Sequence, residues 1–239
     1  MSINKQSSVY TVVYITLLVA VVGIALSWTY MTLHGRQQAN ADADKMKQIL
    51  ASLHVTPEKG EAVAPLFERC ITGSAVVTAA GDTVAGADAF TVDVAAQAKE
   101  PAESRLLPVY KAKTADGAVK YILPVSGNGL WGPIWGYVAV DADGTTIYGA
   151  YFAHQGETPG LGAEIEKPAF SDQFDGKHLF KEGVFKPVAV VKKGQSAPGG
   201  EDTVDGISGG TITSKGVGAM IDNCISPYQA FLGRVAEMQ

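Results

Sequence analysis

The sequence predicts an α+β fold, a mostly antiparallel sheet with flanking helices, preceded by one N-terminal transmembrane helix. Three features support this class: a long uncharged apolar run near the N-terminus, two turn motifs between β-type segments in the middle, and helically spaced apolar residues near the C-terminus. The 239 residues suffice for one compact domain beyond the membrane segment. We expect an anchor at 1–34, a juxtamembrane helix and linker at 35–60, and one larger domain at 61–239.

The N-terminal apolar run has the length of a membrane-spanning helix. No charged residue occurs from Gln6 to Leu33, and Val9 to Tyr30 provides about the 20 residues that cross a bilayer. A cleavable signal peptide is the alternative, because Ala39-Asn40-Ala41 matches the small-residue cleavage pattern. The apolar run is longer than the ~7–15 residues of a signal core, which favours a retained anchor in the lipid bilayer.

The charges around this helix do not settle its orientation. Lys5 alone precedes it, whereas Arg36, Lys45 and Lys47 follow it, so simple counting would place the large domain in the cytoplasm. That count is weak for a single span followed by a long domain. Since the apolar span contains no Asp, Glu, Lys, Arg or His, the helix is expected to anchor the protein rather than to conduct ions.

Downstream of the membrane segment, the first elements are short. Met46, Ile49, Leu50 and Leu53 have helical spacing and predict a helix at Asp42–His54. Two short strands are predicted at Ala75–Ala80 and Phe90–Val94.

The middle and the C-terminal part give clearer patterns. Strands flank the two Asp-Gly turns and predict successive β-hairpins, at Val109–Lys113 with Val119–Val125 and at Tyr137–Asp141 with Thr145–His154. The Gly-, Ser- and Pro-rich stretch Lys192–Gly206 is expected to be an exposed loop. Apolar residues with helical spacing follow, and Pro227 interrupts them. They are Val217, Met220, Ile221 and Cys224 before the proline, and Tyr228, Phe231, Leu232 and Val235 after it.

Composition excludes several classes of protein. The formal net charge of −5 provides no basic surface for nucleic acid. Two cysteines exclude a disulfide scaffold and a four-thiolate metal site, and their spacing does not say whether they pair. Cys224 lies on the helical stripe and is expected to be a core thiol. His34, His54 and His178 form no sequence cluster with His154, so no metal site is predicted.

The first motif of interest is the glycine-rich segment Gly127–Gly132. It fits the dinucleotide-binding spacing and follows a predicted strand, but Pro133 and an extended segment follow it where that fingerprint requires a helix. A Rossmann site is therefore rejected. Two interpretations stay open: a ligand-lining turn with Trp131 available for stacking, or a plain turn with a core tryptophan.

The second motif is the loop His154–Gly162, which reads HQGETPGLG. His154 and Glu157 do not have the spacing of a zinc helix, and the Pro-Gly pair that follows forbids one. In isolation the segment is an ordinary turn. Its combination of acid, hydroxyl, Pro and Gly is also typical of a loop that lines a polar ligand.

The third motif is the segment Asp205–Ser214. A flexible loop ending in a helix cap is the simple interpretation. The sharper one is that Thr211, Thr213 and Ser214 precede a helix whose free N–H groups favour an anion such as phosphate. A phosphodiester on Thr211 would carry one negative charge there, and Lys215 could neutralise it.

Together, these segments resemble the FMN-binding domain family, which includes the C subunit of the sodium-translocating NADH:quinone oxidoreductase and the G subunit of the Rnf electron-transport complex. The resemblance rests on the single anchor, the Gly-Leu-Trp turn at Gly129–Trp131, the loop His154–Gly162 and the segment Ser208-Gly209-Gly210-Thr211. It extends over nearly the whole chain. The family usually has Ala at the position of Gly210. The sequences HQGETPGLG and GNGLWG favour the sodium-translocating complex over the Rnf complex.

The resemblance implies a covalent cofactor. In the family, the hydroxyl that matches Thr211 is esterified to the phosphate of FMN by a separate flavin transferase that uses FAD. The resemblance thus implies that Ser208, Gly209, Gly210, Thr213 and Lys215 shape the attachment site. Residues implied to contact the flavin ring or ribityl chain are Glu157, Thr158, Leu161, Leu130 and Trp131.

The resemblance also implies a function. The domain at 61–239 would be an FMN-binding domain on the periplasmic side of the bacterial inner membrane. It would relay electrons from an iron–sulfur centre in membrane partners towards a second FMN and quinone, while other subunits oxidise NADH and move sodium. An Rnf-type protein and a non-redox, membrane-anchored assembly module remain alternatives. A flavin reductase acting alone is disfavoured, since nothing in the chain resembles a nicotinamide site.

Overall fold

The computed structural model describes residues 7–238, so residues 1–6 of the predicted anchor and Gln239 lie outside the described chain. The chain divides into two compact units after Lys45. Its α-helices are α1 (Ser8–Ala51), α2 (Val63–Cys70), α3 (Val94–Gln97), α4 (Pro168–Ser171), α5 (Thr211–Ile225) and α6 (Gln229–Glu237). Its strands are β1 (Ile71–Val77), β2 (Leu107–Lys113), β3 (Val119–Asn128), β4 (Pro133–Asp141), β5 (Ile147–His154), β6 (Phe180–Lys181), β7 (Val184–Phe185), β8 (Ala189–Val191) and β9 (Thr203–Asp205).

Helix α1 is long and apolar enough to cross a membrane. It runs without interruption from Ser8 to Ala51, so the separate helix predicted at Asp42–His54 is instead the end of α1. Several polar residues after the apolar run, such as Arg36, Gln37 and Lys45, are good helix formers. The 3.0 Å hydrogen bond from Gln38 Nε2 to Asp42 Oδ1 adds local support. The domain boundaries themselves stay predictions.

The five strands β1 to β5 form one antiparallel sheet in sequence order. Both predicted hairpins are confirmed, with Tyr110 opposite Ile122 and Ile134 opposite His154. Glycine is required at both turns, since Gly117 and Gly144 have φ angles of +88° and +67°. The sheet and its flanking helices confirm the predicted fold class.

Each face of the sheet is covered by a separate apolar cluster. Leu123 and Val125 of β3 pack with Val217 and Ile221 of α5 on one face. On the other face, Ile122 belongs to a second cluster with residues such as Ile49. Because both faces are buried, the central strands read as nearly continuous apolar runs, and α5 lies across β3. Helix α5 thereby projects its N-terminus towards the end of that strand.

Two predicted strands differ from the structure. The one predicted at Ala75–Ala80 runs from Ile71 to Val77, because a turn closed by Gly81 at φ +82° follows. No strand forms at Phe90–Val94. Asp88 Oδ1 accepts the Phe90 N–H at 2.9 Å and Asp93 Oδ1 accepts the Ala96 N–H at 3.0 Å, so these aspartates stabilise turns and a helix start in place of a ladder.

The C-terminal part also differs from the prediction in two places. The predicted loop Lys192–Gly206 includes β9, which pairs in parallel with β8. Helix α5 begins at Thr211, six residues before the apolar stripe that predicted it. Cys224 is a buried free thiol whose Sγ donates to Ser126 O at 3.2 Å, which confirms the predicted core thiol, and burial raises its pKa.

Candidate functional site

The three motif segments meet at the N-terminus of α5 and form one cleft of about 360 Å³. This volume lies within the range of small-molecule sites. We call it the Trp131 cleft, and its lining consists of Leu130, Trp131, Glu157, Thr158, Leu161, Gly162, Gly209, Gly210, Thr211, Ile212 and Thr213. Nine of the eleven predicted site residues are therefore brought together.

Glu157 connects the three segments through its buried carboxylate, which is 4% exposed. Its Oε1 accepts the backbone N–H of Trp131 at 2.8 Å, and its Oε2 accepts the Thr213 hydroxyl at 2.5 Å. Its own N–H donates to His154 Nδ1 at 3.1 Å. A single side chain thus joins the Gly-Leu-Trp turn, the 154–162 loop and the first turn of α5.

The carboxylate of Glu157 is held in its ionised form. Burial raises its pKa, but the hydrogen bonds from the Thr213 hydroxyl and from the Trp131 and Leu130 amides lower it by more. The nearby His154 ring also lowers it, and the net pKa lies below the ordinary value. Among the described residues that line the cleft, Glu157 alone is acidic or basic.

Glycines let these segments approach one another closely. A Cβ on Gly129 would lie 2.5 Å from Glu157 Oε1, and one on Gly162 would lie 2.4 Å from Glu157 Oε2. A Cβ on Gly216 would lie 2.4 Å from the carbonyl oxygen of Asn128 at the end of β3. All three distances are too short for any side chain, so glycine at these positions brings α5 against the turn and the loop.

The hydroxyl residues of the third motif do not all face the cleft in the same way. They were predicted to precede the helix, but they form its first turn, because the N-cap is Gly210. Thr213 is buried against Glu157, and the buried Ser214 Oγ accepts the Ile207 N–H at 2.9 Å. Thr211 is the exposed member of the three.

The N-terminus of α5 provides the anion-favouring environment that the motif predicts. The N–H groups of Thr211, Ile212 and Thr213 occupy the first turn and have no intrahelical acceptor by geometry. The N-cap residue has no side chain to occupy them. This end of the helix therefore presents donors and a positive dipole beside the Thr211 hydroxyl.

Two predicted residues lie outside the lining of the cleft. Ser208 is exposed in the turn before α5. Lys215 lines a second cavity of about 500 Å³, the Lys215 cavity, together with Lys186, Glu201 and Asp222. Lys215 still follows Thr211 by four residues, which places the two on one side of the helix.

Large apolar side chains surround the cleft and remain exposed to solvent. The exposed fractions are 69% for Trp131, 57% for Ile212, 48% for Leu130 and 42% for Leu161. The interpretation of Trp131 as a core residue is therefore wrong. The sequence analysis did not include Ile212 and Gly162 among the site residues. The position of Ile212 could have indicated it, because this apolar residue lies off the stripe that starts at Val217 and so is not directed into the core. Apolar side chains that encircle a polar helix end fit an aromatic ligand that carries a phosphate.

Comparisons with known proteins agree with this geometry. The family model for the FMN-binding domain matches residues 129–226, which include the Gly-Leu-Trp turn from Gly129 onwards and the whole of the other two motif segments. The C subunit of the Na(+)-translocating NADH-quinone reductase of Vibrio vulnificus is 40% identical, over 91% of each chain. The corresponding protein of Vibrio campbellii is 37% identical, over 99% of this chain and 98% of the relative.

Solved structures show the same fold. The crystal structure of the C subunit of the Na(+)-translocating NADH-quinone reductase of Parabacteroides distasonis has a TM-score of 0.77 and 50% identity, over 84% of this chain and 96% of that one. NqrC of Shewanella oneidensis has a TM-score of 0.67 and 26% identity, over 83% and 99% of the two chains. Both the predicted fold and the predicted resemblance are confirmed. The chain belongs to the NqrC family, the C subunits of the Na(+)-translocating NADH-quinone reductases.

Proposed function

We propose that this chain is the covalent-FMN electron-transfer subunit of a sodium-translocating NADH:quinone oxidoreductase, with the FMN phosphate esterified to Thr211. The observation that carries the proposal is the position of Thr211. It is the exposed hydroxyl in the first turn of α5, at the edge of a cleft bordered by exposed apolar side chains. The match of the FMN-binding domain model to 129–226 supports the same cofactor.

The residues present fit both ends of this cofactor. The free amides of the α5 N-terminus can donate to a phosphodiester on Thr211, and Lys215, four residues on, can offset its charge. Leu130, Trp131, Leu161 and Ile212 provide apolar surface for the ring. A flavin linked through its phosphate keeps its ring unmodified and supplies one-electron chemistry when bound. The chain itself binds and orients that group and requires no general acid or base.

We further propose that the chain works within a multi-subunit assembly. Helix α1 would anchor the chain in the inner membrane, with the FMN-binding domain on the periplasmic side. Other subunits of a multi-subunit membrane complex would supply electrons from an iron–sulfur centre and accept them on a second FMN, towards quinone. A separate flavin transferase would load the cofactor from FAD. The uncharged apolar span of α1 agrees with a role in anchoring rather than in ion movement.

The test uses the full chain coexpressed with a flavin transferase, with covalent flavin read as fluorescence in a denaturing gel. Thr211→Val removes the attachment hydroxyl and should give a protein that folds normally before denaturation but whose gel band is not fluorescent. Thr211→Ser keeps a hydroxyl and should retain modification, and Ser196→Ala, which removes an exposed hydroxyl outside the cleft, is the matched control. Covalent FMN on Thr211→Val would contradict the assignment. A folded wild type without flavin would favour the non-redox assembly module.

A further inference from the structure

The electrostatics of the Trp131 cleft depend on one buried group. Glu157 is the one acidic or basic side chain among the described lining residues, and both of its carboxylate oxygens accept hydrogen bonds. The turn and the first residues of α5 face it with amide and hydroxyl donors only. His154 and, beyond it, Glu166, 3.8 Å from His154 Nε2, are the titratable groups on its other side.

A fixed negative charge beside an electron carrier affects how readily the carrier is reduced. One electron supplied by an external reductant adds one negative charge to a bound flavin unless a proton follows. A carboxylate that lines the same cleft repels that charge, and it does so more strongly in a site shielded from water. Removal of the carboxylate charge should therefore make reduction easier.

We infer that the Glu157 carboxylate sets the reduction potential of the flavin in the Trp131 cleft, an inference that rests on the proposed function. The carboxylate holds this potential below the value that a neutral side chain would give. Glu157 is thus a positioning residue with an electrostatic role. It aligns the turn, the loop and α5, and its charge acts on the cofactor through space. A purely structural role predicts a change in stability and no change in potential.

The experiment compares midpoint potentials of full-length wild type, Glu157→Gln and Glu164→Gln, each carrying covalent FMN and titrated with dithionite at neutral pH. Glutamine has the same shape and can still accept the Trp131 N–H, so the cleft geometry is retained. Glu164 is in the same region of the chain, where its Oε1 accepts the Gly160 N–H at 3.1 Å, but it does not line the cleft. We expect a shift to more positive potential for Glu157→Gln and no comparable shift for Glu164→Gln.

A second variant decides the matter if Glu157→Gln does not take up flavin. Thr213→Val keeps the Glu157 carboxylate but removes one of its donors, so the pKa of Glu157 rises. The potential of this variant should then move above the wild-type value as the pH falls towards the ordinary pKa of a glutamate. A potential that tracks wild type at every pH would overturn the inference.

The outcomes separate the two proposals. If the wild type carries no flavin after coexpression, the proposed function fails. If flavin is present and Glu157→Gln has the same potential as wild type and Glu164→Gln, only the electrostatic role fails.

Discussion

The Trp131 cleft and the Lys215 cavity share helix α5 but present different chemistry. The Lys215 cavity is the larger, about 500 Å³ against about 360 Å³, and two lysines and two acids line it. The Trp131 cleft has one ionisable side chain, exposed apolar residues and the free end of a helix. The arrangement of hydrogen-bond donors and apolar surface, rather than cavity volume, therefore distinguishes the candidate site.

The largest expected effect comes from the close approach of the loop to α5. A Cβ on Gly162 would lie 2.4 Å from Glu157 Oε2 and 2.5 Å from Thr213 Oγ1. Gly162→Ala should lower the free energy of unfolding by about 3 kcal/mol and reduce flavin attachment, because the Glu157 bridge must shift. Chemical denaturation measures the first effect. Gly156→Ala is the control, since nothing lies within 4 Å of its Cβ, and an equal loss in both variants would contradict the account.

The second effect separates the two threonines of the first turn of α5. Thr213→Val leaves a buried carboxylate without one donor and should cost about 2 kcal/mol of unfolding free energy. Thr211→Val, at an exposed position, should leave stability nearly unchanged while it abolishes covalent FMN. Equal stability losses in the two variants would show that the Glu157–Thr213 contact is not specific.

A third, smaller effect concerns Asp202, which precedes β9 and binds His178 and Lys181. Burial raises the pKa of Asp202, but the hydrogen bonds from Lys181 and His178 lower it by more, to about 2 from 3.8. Because the folded pKa lies below the unfolded one, this stabilisation is present above pH 3.8 and is lost as the pH falls towards about 2.

Asp202→Asn tests this pH dependence. It should cost about 1 kcal/mol near neutral pH, and its stability should approach that of wild type as the pH falls through that window. Urea denaturation at several pH values measures both. A difference that stays constant with pH would contradict the ion-pair explanation.

The smallest effect on stability is expected at the rim of the Trp131 cleft. The Trp131 side chain is 69% exposed, and only its backbone N–H contacts Glu157, so Trp131→Ala should change the unfolding free energy by less than about 0.5 kcal/mol. The same variant should change the fluorescence and redox behaviour of attached flavin, because a stacking surface is lost. Unchanged flavin properties would show that Trp131 does not contact the ring.

Sequence patterns predicted the elements that depend on local chemistry. The Asp-Gly turns predicted both hairpins, and the stripe from Val217 predicted α5. The strand predicted at Phe90–Val94 failed because the Asp88 and Asp93 side chains bind nearby backbone amides, a local competition that apolar patterning does not reveal. The pairing of β8 with β9 depends on residues more than ten positions apart and could not be predicted from either segment alone.

The site was predictable to a different extent. Motifs and resemblance identified nine lining residues, since these lie in three short, recognisable segments of the sequence. The bridge from Glu157 to Thr213 joins positions 56 apart, and no spacing rule indicates it. Lys215 lines the other cavity because of where it falls on α5, which begins at Thr211. The apolar stripe did not indicate this start, because hydroxyl residues form the first turn of the helix.

Peptide mapping by mass spectrometry of the wild-type chain, after coexpression with a flavin transferase, tests most directly whether FMN is attached to Thr211. We expect the mass of one FMN phosphoester on the peptide that contains Thr211, with fragment ions placing it on that residue. FMN on a different peptide, or a folded chain without added mass, would contradict it.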